Sequence, residues 1–490
     1  SVSCSCSINL DCAPRKGAEP KAQSAIAAAR GLSLHQMDVK TAFLNGDLDE
    51  ELWMQQPQGF EVSGGSSSGD TGGGDDTGGG GGAGGGGSGG ASHRSVPLAC
   101  RLLKSVYGLK QAPRCWYRKL SEELGGLGFT PASADPALFV RHDEAGPVYV
   151  LVHVDDLLIA AGCSVQLAAV KSAIGKCFEV RDLGEASTYL GMEIKRDPST
   201  GDILLQQRRY VNELLQRHGM ADAKPRSLPL PAGTRVLAAS EQQPVLDDGG
   251  PYRSLIGGLN YVAVSTRPDI AYALSVLARH MAAPTKAHLA LATGVLRYLK
   301  HTVDMGLRFS ASASGGGGGA GSSSAGGGAA GYDAGAFVGY CDADWAGDPN
   351  TRRSQTAFLF ALGKTVVSWC SQQQRTVAAS SVESEYQAAA AATKEALWLR
   401  KLASDLGLRS GAVVIRCDSQ GALSLARNPI ASSPLSKHID IQHHLVRERV
   451  ARGEVAVEYC PTEQMIADAL TKALPEAKFF FCRAAMGVST

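Results

Sequence analysis

Two glycine-rich stretches interrupt this chain of 490 residues, and they limit how its remaining parts can share a core. Seventeen of the 58 glycines lie in residues 63–92 and ten lie in residues 311–331. A segment of this composition cannot bury apolar side chains and behaves as a flexible tether. Elsewhere glycine returns to its ordinary frequency of about 7%. The sequence therefore predicts a globular protein with two low-complexity inserts, in which the part after the second insert folds and acts independently.

Charge and cysteine content narrow the class of protein. The chain has 48 Lys and Arg residues against 47 Asp and Glu residues, which excludes a strongly basic coat or an acidic tail but allows a local basic groove. The cysteines nearest the N-terminus lack the paired spacing of a zinc site, so we expect free thiols in a reducing compartment. No signal peptide is recognisable, and the longest apolar stretch, residues 148–161, is too short to span a bilayer. We expect a soluble intracellular protein and, because the sequence does not begin with Met, a fragment.

A first cluster of acids lies in residues 148–160, Val-Tyr-Val-Leu-Val-His-Val-Asp-Asp-Leu-Leu-Ile-Ala. Asp155 and Asp156 separate two apolar runs, a pattern that predicts a β-hairpin with both acids at its turn. Adjacent carboxylates resist joint ionisation unless a cation such as Mg²⁺ neutralises them. Taken alone, the pair is better explained as a polar hairpin turn. Asp38 lies in another strand-like segment, residues 34–39, which is otherwise largely apolar.

A second cluster of acids follows the second glycine-rich stretch. Asp342 ends one predicted strand, Asp418 follows another, Glu385 opens a predicted helix over residues 381–406, and Asp468 lies in Met-Ile-Ala-Asp-Ala-Leu-Thr-Lys. Each acid alone reads as a surface residue or a helix cap. Their convergence from separate elements would be costly without a metal, because an unpaired buried charge is expensive.

Several blocks of sequence together resemble the Pol polyprotein of copia-type LTR retrotransposons, which contains a reverse transcriptase and a ribonuclease H. The resemblance covers residues 21–62, 93–309 and 335–485. The matching blocks are DVKTAFLNG (38–46), YGLKQAPRCW (107–116), HVDD (153–156), YLGMEI (189–194), YRSLIGGLNY (252–261), TRPDIA (266–271), LRYLK (296–300) and GYCDADWAG (339–347).

The resemblance implies an α/β (α+β) fold: a right-hand polymerase palm with a helical thumb or connection, followed by a ribonuclease H-like mixed sheet. It implies these divisions: 1–20, an unmatched remnant without fingers; 21–62 and 93–230, the palm; 63–92, an insert; 231–310, the thumb or connection; 311–334, a linker; and 335–485, the ribonuclease H-like domain. The product is expected in cytoplasmic virus-like particles or the nucleus.

The resemblance also implies roles for individual residues. Asp38, Asp155 and Asp156 match the metal-binding triad of the palm. Phe43 matches the aromatic gate that selects deoxynucleotides, and Gln111 matches a residue that contacts the incoming nucleotide and template. The nuclease residues implied are the acids Asp342, Glu385, Asp418 and Asp468, with Glu385 preferred over Glu383, and the accessory residues Lys437, His438 and His443.

The implied cofactor is Mg²⁺, two ions per site, with Mn²⁺ as an alternative. The implied partners are an RNA template, a DNA primer, dNTPs, an RNA–DNA hybrid and other Pol and Gag products of the element, with no membrane. Two departures weaken the polymerase assignment: residues 1–20 do not resemble the basic fingers, and His153 replaces an aromatic residue. Three interpretations stay open: a polymerase with ribonuclease H, a ribonuclease H with an inert polymerase, and a non-catalytic relic.

Overall fold

The computed structural model describes residues 18–62, 98–311, 337–408, 411–427 and 437–490, the backbone alone being described for 437–443. Residues 63–92 and 312–331 of the glycine-rich stretches therefore lie outside the described part. The chain divides into two compact units, a smaller one formed by Thr41–Glu123 and a larger one formed by the rest. Within the described ranges, no helix combines the length and apolar character that a membrane crossing requires.

The secondary structure mixes strands and helices throughout. The strands are β1 (Ser33–Val39), β2 (Trp53–Gln55), β3 (Ala99–Arg101), β4 (Thr130–Pro131), β5 (Leu138–Asp143), β6 (Gly146–His153), β7 (Asp156–Ala161), β8 (Val180–Glu185), β9 (Thr188–Tyr189), β10 (Met192–Arg196), β11 (Ile203–Gln206), β12 (Gly306–Phe309), β13 (Phe337–Asp344), β14 (Gln355–Leu362), β15 (Thr365–Gln373), β16 (Val413–Cys417), β17 (Val455–Tyr459) and β18 (Val488–Ser489). The α-helices are α1 (Ala18–Arg30), α2 (Ala112–Gly126), α3 (Ser164–Cys177), α4 (Arg208–Arg217), α5 (Gly250–Ser265), α6 (Ala271–Ala278), α7 (Lys286–His301), α8 (Ser381–Asp405), α9 (Gln420–Arg427), α10 (Lys437–Ala451) and α11 (Glu476–Ala485). Short 3₁₀ helices cover Ala42–Asn45, Pro268–Ile270, Thr462–Gln464 and Ile466–Leu470.

A six-stranded antiparallel sheet in the larger unit has the order β4-β5-β6-β7-β1-β8. Helices α1 and α3 pack against it. Covered in this way, β6 and β7 bury consecutive residues rather than alternate ones, which is why both read as continuous apolar runs. The hairpin that joins them pairs His153 with Asp156, so its turn is Val154-Asp155. The predicted hairpin is present, with Asp156 in the strand and not in the turn.

The smaller unit contains the first 3₁₀ helix, the ribbon of β2 and β3, and most of α2. Gly46 lies against the start of α2, where an added Cβ would come within 2.9 Å of the backbone carbon of Cys115. Ser105 lies beside the same contact, and its hydroxyl donates a hydrogen bond to the carbonyl oxygen of Phe43. Only glycine allows these segments to approach so closely.

The thumb-like region is helical, as the resemblance implies, and its helices α5, α6 and α7 are separate. Pro268 begins a 3₁₀ turn that separates α5 from α6, because proline cannot supply the backbone donor of a continuing helix. Beside these helices lies a second antiparallel sheet, ordered β18-β12-β11-β10-β9. Its edge strand β18 comes from the C-terminus of the chain and pairs with β12, which directly follows the thumb-like helices.

The C-terminal sheet has the order β15-β14-β13-β16-β17. Strands β13, β14 and β15 are antiparallel, whereas β16 and β17 run parallel to β13. Helix α8 packs across β13 and β14 and provides the crossover that a parallel strand requires. This mixed sheet, together with the six-stranded sheet and the helices, confirms the predicted fold class.

One hydrophobic core runs through the larger unit. It joins α1 and the six-stranded sheet to the thumb-like helices and to the C-terminal sheet. The indole nitrogen of Trp369 donates to the carbonyl oxygen of Ala263 at 3.0 Å, and that of Trp398 donates to the carbonyl oxygen of Ala134 at 2.9 Å. The part after the second stretch therefore packs against the rest of the larger unit, and its independent folding and activity stay a prediction.

Candidate active sites

Three acids meet at one end of the six-stranded sheet. Asp38 lies directly opposite Asp156 in the β1–β7 register, and Asp155 occupies the adjoining turn. The backbone N–H of Val39 donates to the carbonyl oxygen of Asp155 at 2.8 Å, which ties the turn to the end of β1. The sheet thus places the three residues predicted for the palm side by side.

The electrostatics of this end of the sheet favour a bound cation. The pKa of Asp38 is raised, first by burial and then by the carboxylates of Asp155 and Asp156, while Arg181 opposes the change. Gln36 holds Asp156 through a hydrogen bond of 2.8 Å from its amide nitrogen to Oδ1. Repulsion between the acids is therefore only partly compensated by the protein.

The turn that carries Asp155 is strained. Val154 has a φ of 59°, in the left-handed region, and a β-branched residue is rarely found there. Such a conformation costs about 1–3 kcal/mol and persists only where the surroundings hold it. Backbone strain of this kind is concentrated at functional sites, where side chains must be held in a fixed orientation. Here the strained residue lies between exposed His153 and the two acids, Asp155 and Asp156.

Phe43 and Gln111 belong to the smaller unit. The ring centroid of Phe43 lies 4.6 Å from that of Tyr107. The side-chain nitrogen of Gln111 donates to Oε1 of Glu50 at 2.8 Å. These contacts leave the nucleotide-binding roles of both residues as predictions.

The second set of acids gathers at the C-terminal sheet. Asp342 lies near the end of β13, Asp418 follows β16, Glu385 stands in the first turns of α8, and Asp468 lies in the 3₁₀ helix Ile466–Leu470. Ligand atoms of Glu385, Cys417 and Asp418 all lie within 4.8 Å of one another, and this is the one such group of three among the described residues.

Helix capping explains why Glu385 and not Glu383 belongs to this cluster. The hydroxyl of Ser380 accepts the backbone N–H of Glu383 at 3.1 Å. The Glu383 carboxylate in turn accepts the backbone N–H of Ala379 at 2.8 Å. Glu383 thus completes the helix start, a stabilising use of an acid at this position.

Burial and the charge of neighbouring acids raise the pKa values of two of the clustered acids, Glu385 and Asp342. Burial raises the pKa of Glu385 to about 10, with further contributions from Asp342, Cys417 and Asp418. Burial likewise raises the pKa of Asp342 to about 7, reinforced by Asp468 and Asp418 and opposed by Lys472. Oε2 of Glu385 is buried without a hydrogen-bond partner. The four predicted acids therefore interact electrostatically.

Side chains that the sequence did not single out hold two of these acids. Nζ of Lys472 lies 2.7 Å from Oδ1 of Asp468 and 3.9 Å from Oδ2 of Asp342. Nζ of Lys478 lies 3.4 Å from Oδ2 of Asp468. The hydroxyl of Thr471 donates to Oδ2 of Asp342 at 2.5 Å. The spacing of four between Asp468 and Lys472 was the one signal in the sequence that could have indicated the first pair.

Comparison with known proteins gives a family match for the first half of the chain and similar sequences along nearly all of it. Residues 21–68 and 89–232 match the family model described as reverse transcriptase (RNA-dependent DNA polymerase). Over 94% of its length the chain is 36% identical to the retrovirus-related Pol polyprotein from transposon TNT 1-94 of Nicotiana tabacum, and over 93% it is 34% identical to that from transposon RE2 of Arabidopsis thaliana. The chain belongs to the copia-type retrotransposon Pol family.

The chain spans 31% and 27% of the lengths of these two Pol polyproteins. Among solved structures, a foamy viral protease-reverse transcriptase in complex with an RNA/DNA hybrid aligns at a TM-score of 0.45 and 9% identity, over 88% of this chain and 44% of that one. A likeness of that degree assigns no residue.

The acids of this copia-type Pol chain fit a divalent metal ion. Carboxylate oxygens are the ligands that Mg²⁺ prefers, and the unpartnered oxygen of Glu385 is a group that a cation would satisfy. Cys417 does not suit Mg²⁺, because sulfur binds softer metals. The predicted accessory residues, Lys437, His438 and His443, fall in α10, where their side chains lie outside the described residues.

Proposed function

We propose that this copia-type Pol chain carries two activities, RNA-directed DNA synthesis and hydrolysis of the RNA strand of RNA–DNA hybrids. One observation carries the proposal: acids from separate elements meet at two places, one on each of two different sheets, and in both places neighbouring carboxylates raise the pKa of a member. Such clusters destabilise the folded protein and are typical of sites that bind metal ions and catalyse phosphoryl transfer or hydrolysis.

The nuclease activity is assigned to Asp342, Glu385, Asp418 and Asp468, which would hold divalent cations. When bound, Mg²⁺ or Mn²⁺ supplies charge neutralisation at the phosphate and a more acidic water. The protein's own part is to position the acids: Thr471 orients Asp342 by donating to its carboxylate. Selectivity for RNA would come from contacts with 2′-hydroxyls across the minor groove, and affinity from phosphate contacts that weaken with salt.

The polymerase activity is assigned to Asp38, Asp155 and Asp156, with an RNA template, a DNA primer and dNTPs as partners. Their joint placement beside a strained turn supports a built site. Phe43 would crowd a ribose 2′-hydroxyl, and Gln111 would contact the nucleotide.

A second candidate is a ribonuclease H with an inert polymerase. One observation favours it: among the described residues, the group that brings three ligand atoms within 4.8 Å of one another lies at the nuclease cluster and not at the palm acids. The two proposals share the nuclease and differ only in primer extension.

Primer extension and hybrid cleavage, measured on one preparation of the full chain in Mg²⁺, separate the candidates. Asp155→Asn should abolish extension and leave cleavage intact, whereas Asp418→Asn should do the reverse. Exposed Asp222→Asn is the matched control and should change neither. Cleavage without extension in the unmodified chain would favour the second candidate. Folded protein that binds hybrid but never cleaves it would refute both, and loss of both activities in Asp155→Asn would contradict two separate centres.

A further inference from the structure

A cavity of about 860 Å³ lies in the larger unit, between the thumb-like helices and the C-terminal sheet. Side chains of α1, α5, α6, β14, β15 and α8 form its wall. It is open to solvent beside Arg375, Thr376 and Lys394, which are exposed. None of the seven acids of the two clusters lines it. Its volume falls in the range of small-molecule sites, roughly 300–1,000 Å³.

The charged residues of this cavity are mostly cations. Lys21, Arg279, Arg375 and Lys394 line it, against a single acid, Glu395. The acid is already held, because its Oε1 accepts a hydrogen bond from the hydroxyl of Ser368 at 2.6 Å. Arg279 is engaged by Asp348 at 2.7 Å. The other three cations give the cavity an electrostatic preference for an anion.

Lys21 is the cation that an anion would satisfy best. It is 3% exposed, and among the described residues its Nζ has one hydrogen-bond acceptor, the carbonyl oxygen of Val264 at 2.9 Å. The same nitrogen lies 3.8 Å from the ring centre of Trp369. Val264 and Trp369 also line the cavity, so the ammonium lies at its wall. An ammonium has three donors, and a buried charge without a partner is costly. Burial lowers the pKa of Lys21 to about 7, although Glu19 and Glu395 oppose this change.

The uncharged part of the lining suits a nucleobase. It contains carboxamides and two aromatic rings, which belong to Asn260, Gln372, Gln373, Gln374, Gln387, Phe358 and Trp369. Carboxamides form paired hydrogen bonds with base edges, and bases stack on aromatic rings. Among the described residues, the side-chain oxygen of Gln374 is buried without a hydrogen-bond partner. An inorganic anion would leave this part of the lining unused, whereas a phosphate that carries a base would contact all of it.

We propose that this cavity binds a free nucleotide, with its phosphates at Lys21, Arg375 and Lys394 and its base against the carboxamides and aromatic rings. The site is separate from the one assigned to dNTPs, because no acid of the palm lines it. A bound nucleotide would contact α5 and α6 on one side and β15 and α8 on the other. Binding should therefore stabilise the packing of the thumb-like helices on the C-terminal sheet. Neither polymerase nor nuclease activity is needed for it.

Calorimetric titration of the full chain with ADP tests the site. EDTA in the buffer withholds the metal ions that the acids of both clusters would need. ADP should bind at one site per chain, and adenosine and inorganic pyrophosphate should each bind more weakly, because each lacks part of the contacts. Lys21→Met should weaken ADP binding by about 10- to 100-fold, since it removes a hydrogen bond between charged groups. This variant should fold, because Met is of similar length and brings no charge to bury.

Two exposed lysines provide a second variant and a matched control. Lys394→Gln should weaken ADP binding by less than Lys21→Met, because an exposed charge contributes less. Lys364→Gln changes an exposed lysine in the turn of the β14–β15 hairpin, which does not line the cavity, and should leave the affinity unaltered. ADP should also raise the urea midpoint of the parent more than that of Lys21→Met.

The dependence of ADP affinity on pH gives an independent readout of Lys21. A bound phosphate favours the charged ammonium, so the complex should take up a proton above the pKa of about 7 that Lys21 has in the free protein. The affinity should therefore fall as the pH rises above about 7, by at most about tenfold per pH unit, and Lys21→Met should lose this dependence. Absence of ADP binding, or equal affinity of the parent and Lys21→Met, would overturn the inference. Binding of a single-stranded DNA dodecamer that depends on Lys21 and is tighter than that of ADP would also overturn it, because the cavity would then belong to a strand and not to a free nucleotide.

Discussion

The pair Arg267–Asp269 tests how far a buried ion pair holds the thumb-like region together. Arg267 donates to both oxygens of Asp269, at 2.9 and 2.8 Å, and its third nitrogen donates to the carbonyl oxygen of Thr302 at 2.9 Å. The two side chains are 2% and 1% exposed. Burial alone would raise the pKa of Asp269, but the guanidinium and the hydroxyl of Tyr298 hold it below its ordinary value. The carboxylate is therefore ionised only because these partners are present.

Removing one partner leaves a buried charge without its counterion. Asp269→Leu or Arg267→Met should each lower the free energy of unfolding by about 3–5 kcal/mol. Removing both partners replaces the pair with apolar contacts, which is often nearly neutral. Tyr298 and Thr302 would then each lose a hydrogen bond to the pair, at a cost of about 1–3 kcal/mol. The double variant should consequently be more stable than the sum of the single effects by at least about 3 kcal/mol.

Urea unfolding of the full chain, followed by tryptophan fluorescence, measures all four members of this cycle. The matched control is Glu448→Gln, which breaks the ion pair between Glu448 and Arg452. The side chain of Glu448 is 46% exposed and that of Arg452 is 56% exposed. An exposed pair at this helical spacing contributes less than about 0.5 kcal/mol. Additive single effects, or a cost for Asp269→Leu as small as that of Glu448→Gln, would refute the reasoning.

Two further predictions concern the strained turn at Val154 and the stacked pair of histidines, His280 and His288. Val154→Gly should raise the free energy of unfolding by about 0.5–1 kcal/mol, because glycine adopts a φ of 59° without strain; a decrease in the urea midpoint would contradict this. Burial and neighbouring His288 lower the pKa of His280 from 6.5 to about 4. The unfolded chain therefore binds a proton near pH 6.5 that the folded chain resists, and stability should fall by about 1–2 kcal/mol from pH 6.5 to 4, after allowance for solvent screening of a half-buried ring. His280→Gln should remove this part of the pH dependence, so parallel profiles of unfolding free energy would count against it.

Local signals in the sequence were enough to find several elements. The helix predicted over residues 381–406 is α8, and the strand predicted before Asp418 is β16. Helix propensity and short apolar runs are enough to predict such elements from their local sequence alone.

Pairing between distant segments could not be predicted in this way. Strand β18 is two residues long and forms only because β12, far away in the sequence, offers an edge. Strands β5 and β17 were also missed, since their place depends on the sheets that receive them. The acids of both clusters were found through a family resemblance, whereas Cys417 and Lys472 become visible only once the strands and helices bring them to the carboxylates.

Helix α1 shows how the parts of the chain on either side of the glycine-rich stretches are packed together. Its polar residues Glu19, Lys21 and Gln23 are buried with its alanines, so it has no solvent face. Nζ of Lys21 donates to the carbonyl oxygen of Val264 at 2.9 Å and lies 3.8 Å from the ring centre of Trp369. Burial lowers the pKa of this lysine to about 7. A flexible connection limits how far two parts can separate, but helix α1 packs against β6, against β11 and β12 of the second sheet, and against β15. Its polar residues are buried only when all of these strands are assembled around it.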